Sequence, residues 1–402
     1  MSIKLTNFVN TNINNRISPY PSNSYDTAIL FNITATSDSG ESYDAELSIE
    51  NDIKSASTFV ESTATDFEKR FFANKGIRLN VITISGNVDS TETSLVEQVK
   101  QAIIDILDAE ELVSLHQIMI GFAGTVLGPT DIYDLCKDYN YGHDMIPNPD
   151  PEDPEPLDPG REAVKKIYQK FFIAELTSAN LNVFDNDTTY PPMENFVVKV
   201  GTSGISGACA AYFSKIDIYN PNDIKDYNYT IEKVVAEDII KDNATFITCK
   251  QNNFNCNILL GSTLMDNEAV NVGGSDFAGY ELINQFMLLV VNQRLTEVTI
   301  ETLLSKISFS PAGVSKVLNA LTNELFNFVN SGYLICDAIW TDDDLYYNHQ
   351  KIIDKGTPLN NGFSITVFPL NEKVEEFGLP DIYILLADRT SIRTVTIDGE
   401  VF

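Results

Sequence analysis

The chain has 402 residues, with 57 Asp and Glu against 27 Lys and Arg and a net charge of −30. That length exceeds one compact core and predicts two or three domains, while 43% hydrophobic and 21% charged residues predict a globular chain. The acidity argues against nucleic acid, which needs Lys and Arg to neutralise phosphates, and against an anionic membrane surface.

In chain order, residues 2–17 are β-leaning and Asn-rich, and Pro19 and Pro21 separate them from the body. This arm carries Lys4 and Arg16 and no acid, unlike the rest of the chain. Residues 1–30 hold no apolar stretch of signal-peptide length. A buried strand is expected over 25–36, then a polar, turn-like stretch over 37–50. A helix over 64–72 with Phe67, Phe71 and Phe72 on its apolar face leads to a turn at Asn74-Lys75-Gly76. Gly76 suits the left-handed position that ends a helix. A strand over 77–84, a helix over 93–107 and a strand over 115–121 make a βαβ-like unit.

Residues 144–158 carry six acids and five prolines, the composition of an exposed extended linker. A helix is expected over 161–176, a strand over 196–200, a glycine-rich turn over 201–207 and a strand-like stretch over 244–249. From Tyr280 the character changes. Helices are expected over 281–294, 299–307 and 312–331, the last with a face of Val314, Val317, Leu318, Leu321, Leu325 and Val329 and a stop at Gly332. Strands are expected over 333–339, 364–368, 382–386 and 391–397. In the last, Ile392, Thr394 and Thr396 alternate with Arg393, Val395 and Ile397, a period of two. The longest apolar run, 286–291, is too short to span a membrane. Both end segments thus read as strands without a neighbour of their own, and an open strand is a template for pairing with another chain.

Reactive constellations are sparse. The loop 201–207 has the strand-to-helix context of a nucleophile elbow, but Ile205 stands where Ser203 would need a glycine and Ala208 where Ser206 would. It also lacks the lysine of a phosphate loop. Close backbone packing is the expected role of its glycines. The three histidines, His116, His143 and His349, show no helical zinc spacing. Asp342–Asp344 and Asp185 with Asp187 fit no EF-hand and read as solvated acids. The cysteines at 136, 209, 249, 256 and 336 are scattered; Cys249 and Cys256 are near neighbours, but match neither CxxC nor a zinc ribbon. Buried free thiols in a reducing cytoplasm are expected. No catalytic, cofactor or metal residue is assigned, and a serine hydrolase using Ser203 or Ser206 with His349 stays as the enzymatic alternative.

Residues 59–84 (FVESTATDFEKRFFANKGIRLNVITI) resemble a segment of the contractile tail sheath proteins of bacteriophages: a helix, a paired-aromatic FF-x-N-x-G, then a buried strand. Lys75 stands where that family's double glycine begins. Gly273–Gly279, the helices, Gly332-Tyr333 and residues 380–402 resemble the sheath C-terminal domain and terminal strand. The resemblance implies a mixed α+β, multidomain sheath-like subunit. Its parts would be an N-terminal arm (1–22), an α/β domain (23–140), an outer variable domain (141–277), an inner α+β assembly domain (278–387) and a C-terminal strand arm (388–402). It implies arm strands through Leu5, Phe8, Val9 and Ile13 and through Ile392, Val395, Ile397, Val401 and Phe402, with hinges at Pro19, Pro21, Asp388 and Arg389. The implied function is structural, not enzymatic: stacked hexameric rings around a tail tube that contract to drive the tube through an envelope, without cofactor. The implied partners are further copies of itself, the tube, baseplate and terminator proteins, with no direct nucleic acid and no membrane insertion. The implied location is the virion, after synthesis in the bacterial host cytoplasm. Another tail or baseplate part is the structural alternative.

Overall fold

The protein is described as a computed structural model covering residues 27–38, 47–89, 94–109, 118–141, 170–184, 190, 191, 193, 195–220, 227–259, 268–273, 282–305, 311–341, 343–347, 350–368 and 382–387. These residues fall in two compact units, one within Asn12–Ile216 and Tyr227–Gln285, the other within Asp217–Asp226 and Phe286–Phe402. The arm and hinge residues named above, all three histidines, and Asp185, Asp187 and Asp342 lie outside the described residues.

The first unit runs β1 (Thr27–Ile33), β2 (Thr36–Asp38), β3 (Ser48–Ser55), α1 (Asp66–Ala73), β4 (Arg78–Ser85), β5 (Asn87–Asp89), α2 (Leu95–Asp108), β6 (Met119–Ala123), α3 (Pro129–Tyr141), β7 (Phe171–Leu176), β8 (Phe196–Val200), α4 (Ser206–Phe213), β9 (Ile231–Lys233), α5 (Asn243–Gln251), β10 (Asn255–Ile258) and β11 (Glu268–Gly273). One nine-stranded sheet has the order β3-β4-β1-β6-β7-β8-β10-β11-β9. From β4 through β10 the strands run parallel. β3 and β11 are antiparallel to their neighbours. The parallel strands are apolar on both faces, as a sheet covered on both sides requires. Ile29, Leu30 and Phe31 of β1 are fully buried. One face packs on α2, α3 and α5 through a core that includes Phe31, Ile103, Leu135, Phe172, Val198 and Cys249. The other face meets α1 and α4. The βαβ unit predicted over 77–121 is present as β4–α2–β6, with β1 lying between its two strands.

The second unit holds nearly all of α6 (Leu282–Leu304), α7 (Pro311–Asn330), β12 (Ala338–Ile339), β13 (Leu345–Tyr347), β14 (Gln350–Ile353), β15 (Pro358–Leu359), β16 (Phe363–Val367) and β17 (Ile382–Leu386). Its strands form three two-stranded ribbons, β12-β15, β13-β14 and β16-β17. Ile353, Leu359 and Ala387 form a small core with Trp340 and Leu385 packed against it. α7 ends as expected: Gly332 has φ 75°, and the Tyr333 N–H returns to the Phe328 carbonyl at 3.1 Å. Both units mix helix and strand, and the fold is α+β.

Several local expectations are corrected. Residues 171–176 are the buried strand β7 rather than a helix end, and 244–249 lie in α5 rather than a strand. The stretch 37–50 contains β2 and enters β3. The helices expected over 281–294 and 299–307 are one helix, α6. Residues 333–339 are mostly irregular: only Ala338–Ile339 form a named strand, with an isolated bridge at Leu334. On α7 the buried stripe is Gly313, Val317, Leu321, Glu324, Leu325 and Phe328. Val314, Leu318 and Val329 are only half-buried. The stripe is turned toward Glu324 because that carboxylate receives Arg294 Nε of α6 at 3.3 Å and the Tyr219 hydroxyl.

The turn after α1 also differs from expectation. Lys75, not Gly76, takes the left-handed conformation, with φ 63°. Gly76 is needed for space, since a Cβ there would lie 2.2 Å from the Phe71 ring. Lys75→Gly relieves the φ > 0 strain and should stabilise the protein by about 0.5–1 kcal/mol. Gly76→Ala should destabilise it; denaturant unfolding of both variants beside the parent checks the opposite signs.

Candidate functional site

The feature with the densest specific chemistry is the junction of α1, α4 and the β9 edge. Thr65 caps α1: its hydroxyl accepts the Glu68 N–H at 3.3 Å, while Glu68 Oε2 accepts the Thr65 N–H at 2.8 Å. Such a reciprocal cap contributes about 1 kcal/mol. Glu68 is buried, and its other oxygen takes Lys54 Nζ of β3 at 2.6 Å. One turn on, Arg70 forms an ion pair with the fully buried Asp238 and donates to Thr202 Oγ1 at 2.6 Å. Asp238 also accepts the backbone N–H groups of Thr202 (2.8 Å) and Val235 (2.9 Å). At the end of α1 the Asn74 amide donates to the Lys233 carbonyl at 3.0 Å and accepts the Lys233 N–H at 2.8 Å. A side chain thereby supplies both hydrogen bonds that a neighbouring strand would give Lys233, the last residue of β9. The conspicuous residues of FF-x-N-x-G do different things. Phe71 fills the core, Asn74 covers an edge, and Gly76 admits the Phe71 ring.

The glycine-rich loop meets α1 from the other side. Gly204 has φ 80°, and a Cβ on it would lie 2.3 Å from the Asp66 carbonyl carbon. On Gly207 a Cβ would lie 2.3 Å from the Phe67 oxygen. These contacts agree with the expected close backbone packing. Glu175 of β7 completes the loop. Its carboxylate accepts the N–H groups of Gly204 and Ser206, each at 2.9 Å, and the Ser206 hydroxyl. Ser206 is fully buried with its proton directed to a carboxylate, and no histidine lies among the described residues. It is a packed capping group rather than an open nucleophile. Ser203 is exposed on the same loop. Burial raises the Glu175 pKa above its ordinary 4.5, against the lowering effect of those hydrogen bonds and of Arg70.

A second buried polar cluster lies on the same face of the sheet. Lys199 Nζ of β8, with no exposure, donates to Glu232 (2.8 Å), Asn257 (3.2 Å) and Asn271 (2.6 Å). It also lies 5.2 Å from the Tyr227 ring centre. The Tyr227 hydroxyl donates to Glu232, and burial pushes its pKa well above the ordinary value. The ammonium thus joins β8 to β9, β10 and β11, where the sheet changes from parallel to antiparallel. The spacing of polar residues in these strands was the available signal: Lys199, Asn257 and Asn271 each interrupt an apolar run.

In the second unit the β16-β17 ribbon pairs Phe363 with Leu386 through to Val367 with Ile382. Most of its side chains are half-buried, and among the described residues no third strand joins it. An isolated two-stranded ribbon is marginal in water. Nearby, Lys351 pairs with Asp344 at 2.8 Å and Lys355 with Asp343 at 3.1 Å, so these acids serve exposed ion pairs. Among the described residues no group of three or more metal-ligating side chains occurs, and no helix is long and apolar enough to cross a membrane.

This architecture, a covered mixed sheet followed by a helical and ribbon-bearing unit, defines the class to which the chain is compared. A chain from the cryo-EM structure of the anti-feeding prophage (AFP) baseplate in its contracted state matches it with a TM-score of 0.52 and 11% identity, over 100% of this chain and 98% of that chain. The two share a fold along their full length. No described protein family and no curated protein matches the sequence.

The buried charges set the response to pH and to substitution. A raised carboxyl pKa adds stability that is complete below the unfolded value and is lost as pH rises through the folded value. The parent should therefore lose stability relative to Glu175→Gln as pH rises above the ordinary carboxyl value of 4.5, read by urea unfolding across a pH series. Lys199→Met should cost about 3–5 kcal/mol by stranding Glu232. Lys199→Met combined with Glu232→Gln should recover part of that loss in the same assay.

Proposed function

We propose that the protein is a structural subunit of a contractile, phage-tail-like particle, and within that class a tail sheath subunit. The observation that carries the reading is the fold match along the whole chain to a component of a contracted prophage baseplate. Three further features support it. The α1 segment resembles the sheath family. Of the two candidate nucleophiles, Ser206 is buried against Glu175, while Ser203 is exposed on a loop that breaks the elbow pattern. The β16-β17 ribbon offers a place for added strands. Copies assemble as stacked rings around a tube, with residues 278–387 inward and 141–277 outward. The arms carrying Leu5, Phe8, Val9 and Ile13, and Ile392, Val395, Ile397, Val401 and Phe402, add strands to neighbouring copies. Main-chain hydrogen bonds made by strand addition persist while short segments at Pro19, Pro21, Asp388 and Arg389 absorb rotation. The particle is the site of action, and its tube, baseplate and terminator proteins are the partners.

A second reading, a baseplate part, is favoured because the matched chain comes from the structure of a baseplate. Negative-stain electron microscopy of the full-length protein beside a variant lacking residues 388–402 separates the two. The sheath reading predicts long striated tubes from the first and none from the second. Discrete closed particles from both preparations contradict it and favour the baseplate part.

A further inference from the structure

Lys199 holds a nucleophilic nitrogen against two amides and a carboxylate, away from water. Lys199, Asn257 and Asn271 have no exposure, and Glu232 has 2%. The rings of Tyr212 and Phe213 of α4 lie 5.1 and 5.6 Å from the Tyr227 ring that covers the ammonium. The two amides differ. Asn271 is held on both sides: its oxygen accepts Lys199 Nζ at 2.6 Å, and its nitrogen donates to the Tyr227 carbonyl at 3.3 Å and to Asn255 Oδ1 at 3.4 Å. Asn257 accepts Lys199 Nζ at 3.2 Å, but its buried amide nitrogen has no hydrogen-bond partner among the described residues. A buried donor left unpaired is costly, and that cost disappears if the nitrogen leaves. The Asn257 backbone is fixed meanwhile: its carbonyl accepts the Ile240 N–H at 2.8 Å, and β11 pairs it with Asn271.

We propose that the folded chain joins Lys199 to Asn257 by an amide bond between their side chains, with Glu232 moving the protons. Glu232 Oε2, 2.8 Å from Nζ, takes a proton from the ammonium and leaves a neutral amine. Burial penalises both charges of the pair and so favours this transfer. The Nζ lone pair attacks Asn257 Cγ, the new C–N bond forms, and the carbonyl electrons move onto Oδ1. A second Nζ proton passes through the Glu232 carboxyl to Nδ2. The carbonyl re-forms, the Cγ–Nδ2 bond breaks, and ammonia departs. Of the three ammonium protons, one stays on the new amide, one leaves with ammonia and one remains on Glu232. Nothing is oxidised or reduced, and no other reactant enters. Nζ already lies at hydrogen-bond distance from the amide that it attacks, so folding itself supplies the proximity. The Tyr227 hydroxyl donates to the other Glu232 oxygen and fixes the carboxyl, and Asn271 positions Nζ. The new bond staples a thinly paired place in the sheet, since β8 and β10 share a single register pair, Lys199 with Asn255. This chemistry does not depend on the assembly proposed above.

The test is mass spectrometry of the full-length protein after prolonged warm incubation, intact and then as proteolytic peptides. The expected intact mass is lower by one ammonia. The peptides of Lys199 and Asn257 should appear as one branched product, with fragmentation placing the link at Asn257. Glu232→Gln should keep the full mass and give the two peptides separately. Asn257→Asp, which preserves the shape of the site, should still link to Lys199 but lose water in place of ammonia, and it serves if Glu232→Gln fails to fold. A parent that keeps its full mass would overturn the proposal. So would ammonia lost within a single peptide, as a succinimide gives, a link placed at Asn271, or an unlinked Asn257→Asp protein.

Discussion

The backbone of α1 lies against α4 at a separation that only glycine permits, and much of the first unit is arranged around that approach. Gly204 and Gly207 bring the loop after β8 within reach of the first turn of α1. Once there, Arg70 finds Asp238 and Thr202, Glu68 finds Lys54, and Asn74 finds the β9 backbone. Each is a buried or partly buried polar contact, strong in a low dielectric and costly when one partner is missing. Eight residues of helix thus hold β3 at one edge of the sheet and β9 at the other. Phe67 and Phe71 fix the same helix by burial, each contributing about 2–3 kcal/mol. Their rings are stacked, with centres 6.4 Å apart.

The two units differ in how they satisfy their backbone. In the first, a nine-stranded sheet pairs its own strands, and a side-chain amide covers part of one edge. In the second, three short ribbons share a small core and hold few strand-to-strand bonds each. The buried ion pairs are consistent with that division. Arg70 with Asp238 and Lys199 with Glu232 lie inside the sheet-bearing unit, and Arg294, Glu297 and Glu324 tie α6 to α7 and to Tyr219 in the other.

What the sequence made legible follows from where local and tertiary forces agree. α1 and α2 carry an apolar period that matches their burial, and β4 and β8 carry apolar runs that match strands covered on both faces. β3 carries none, because nearly all of its side chains are exposed, and SIENDIKS has no buried face to reveal it. In α5 the β-branched and aromatic run Thr245–Thr248 favours strand, yet Asp242 caps the N-terminus by accepting the Thr245 N–H at 2.8 Å, and the cap and turn override propensity. In β7, Glu175 sits in an apolar run and imitates a helix face; only its partners on the 201–207 loop explain its burial. The glycines of that loop were readable as packing residues, because a catalytic elbow needs a pattern they break. The Lys199 cluster was readable only as polar interruptions within strands; that they meet was not, since the partners come from β9, β10 and β11. The left-handed Lys75 shows the limit of residue preference: the turn geometry was foreseeable, but which residue bears the positive φ was decided by the Phe71 ring under Gly76.

The proposed role stands or falls on whether copies of this chain assemble by strand addition. A cryo-EM reconstruction of the assembled protein, traced through the β16-β17 ribbon, decides it. The expected density is a ribbon widened by a strand from residues 392–397 or 5–13 of another copy. A ribbon left two-stranded, or completed by a strand of its own chain, would contradict strand addition.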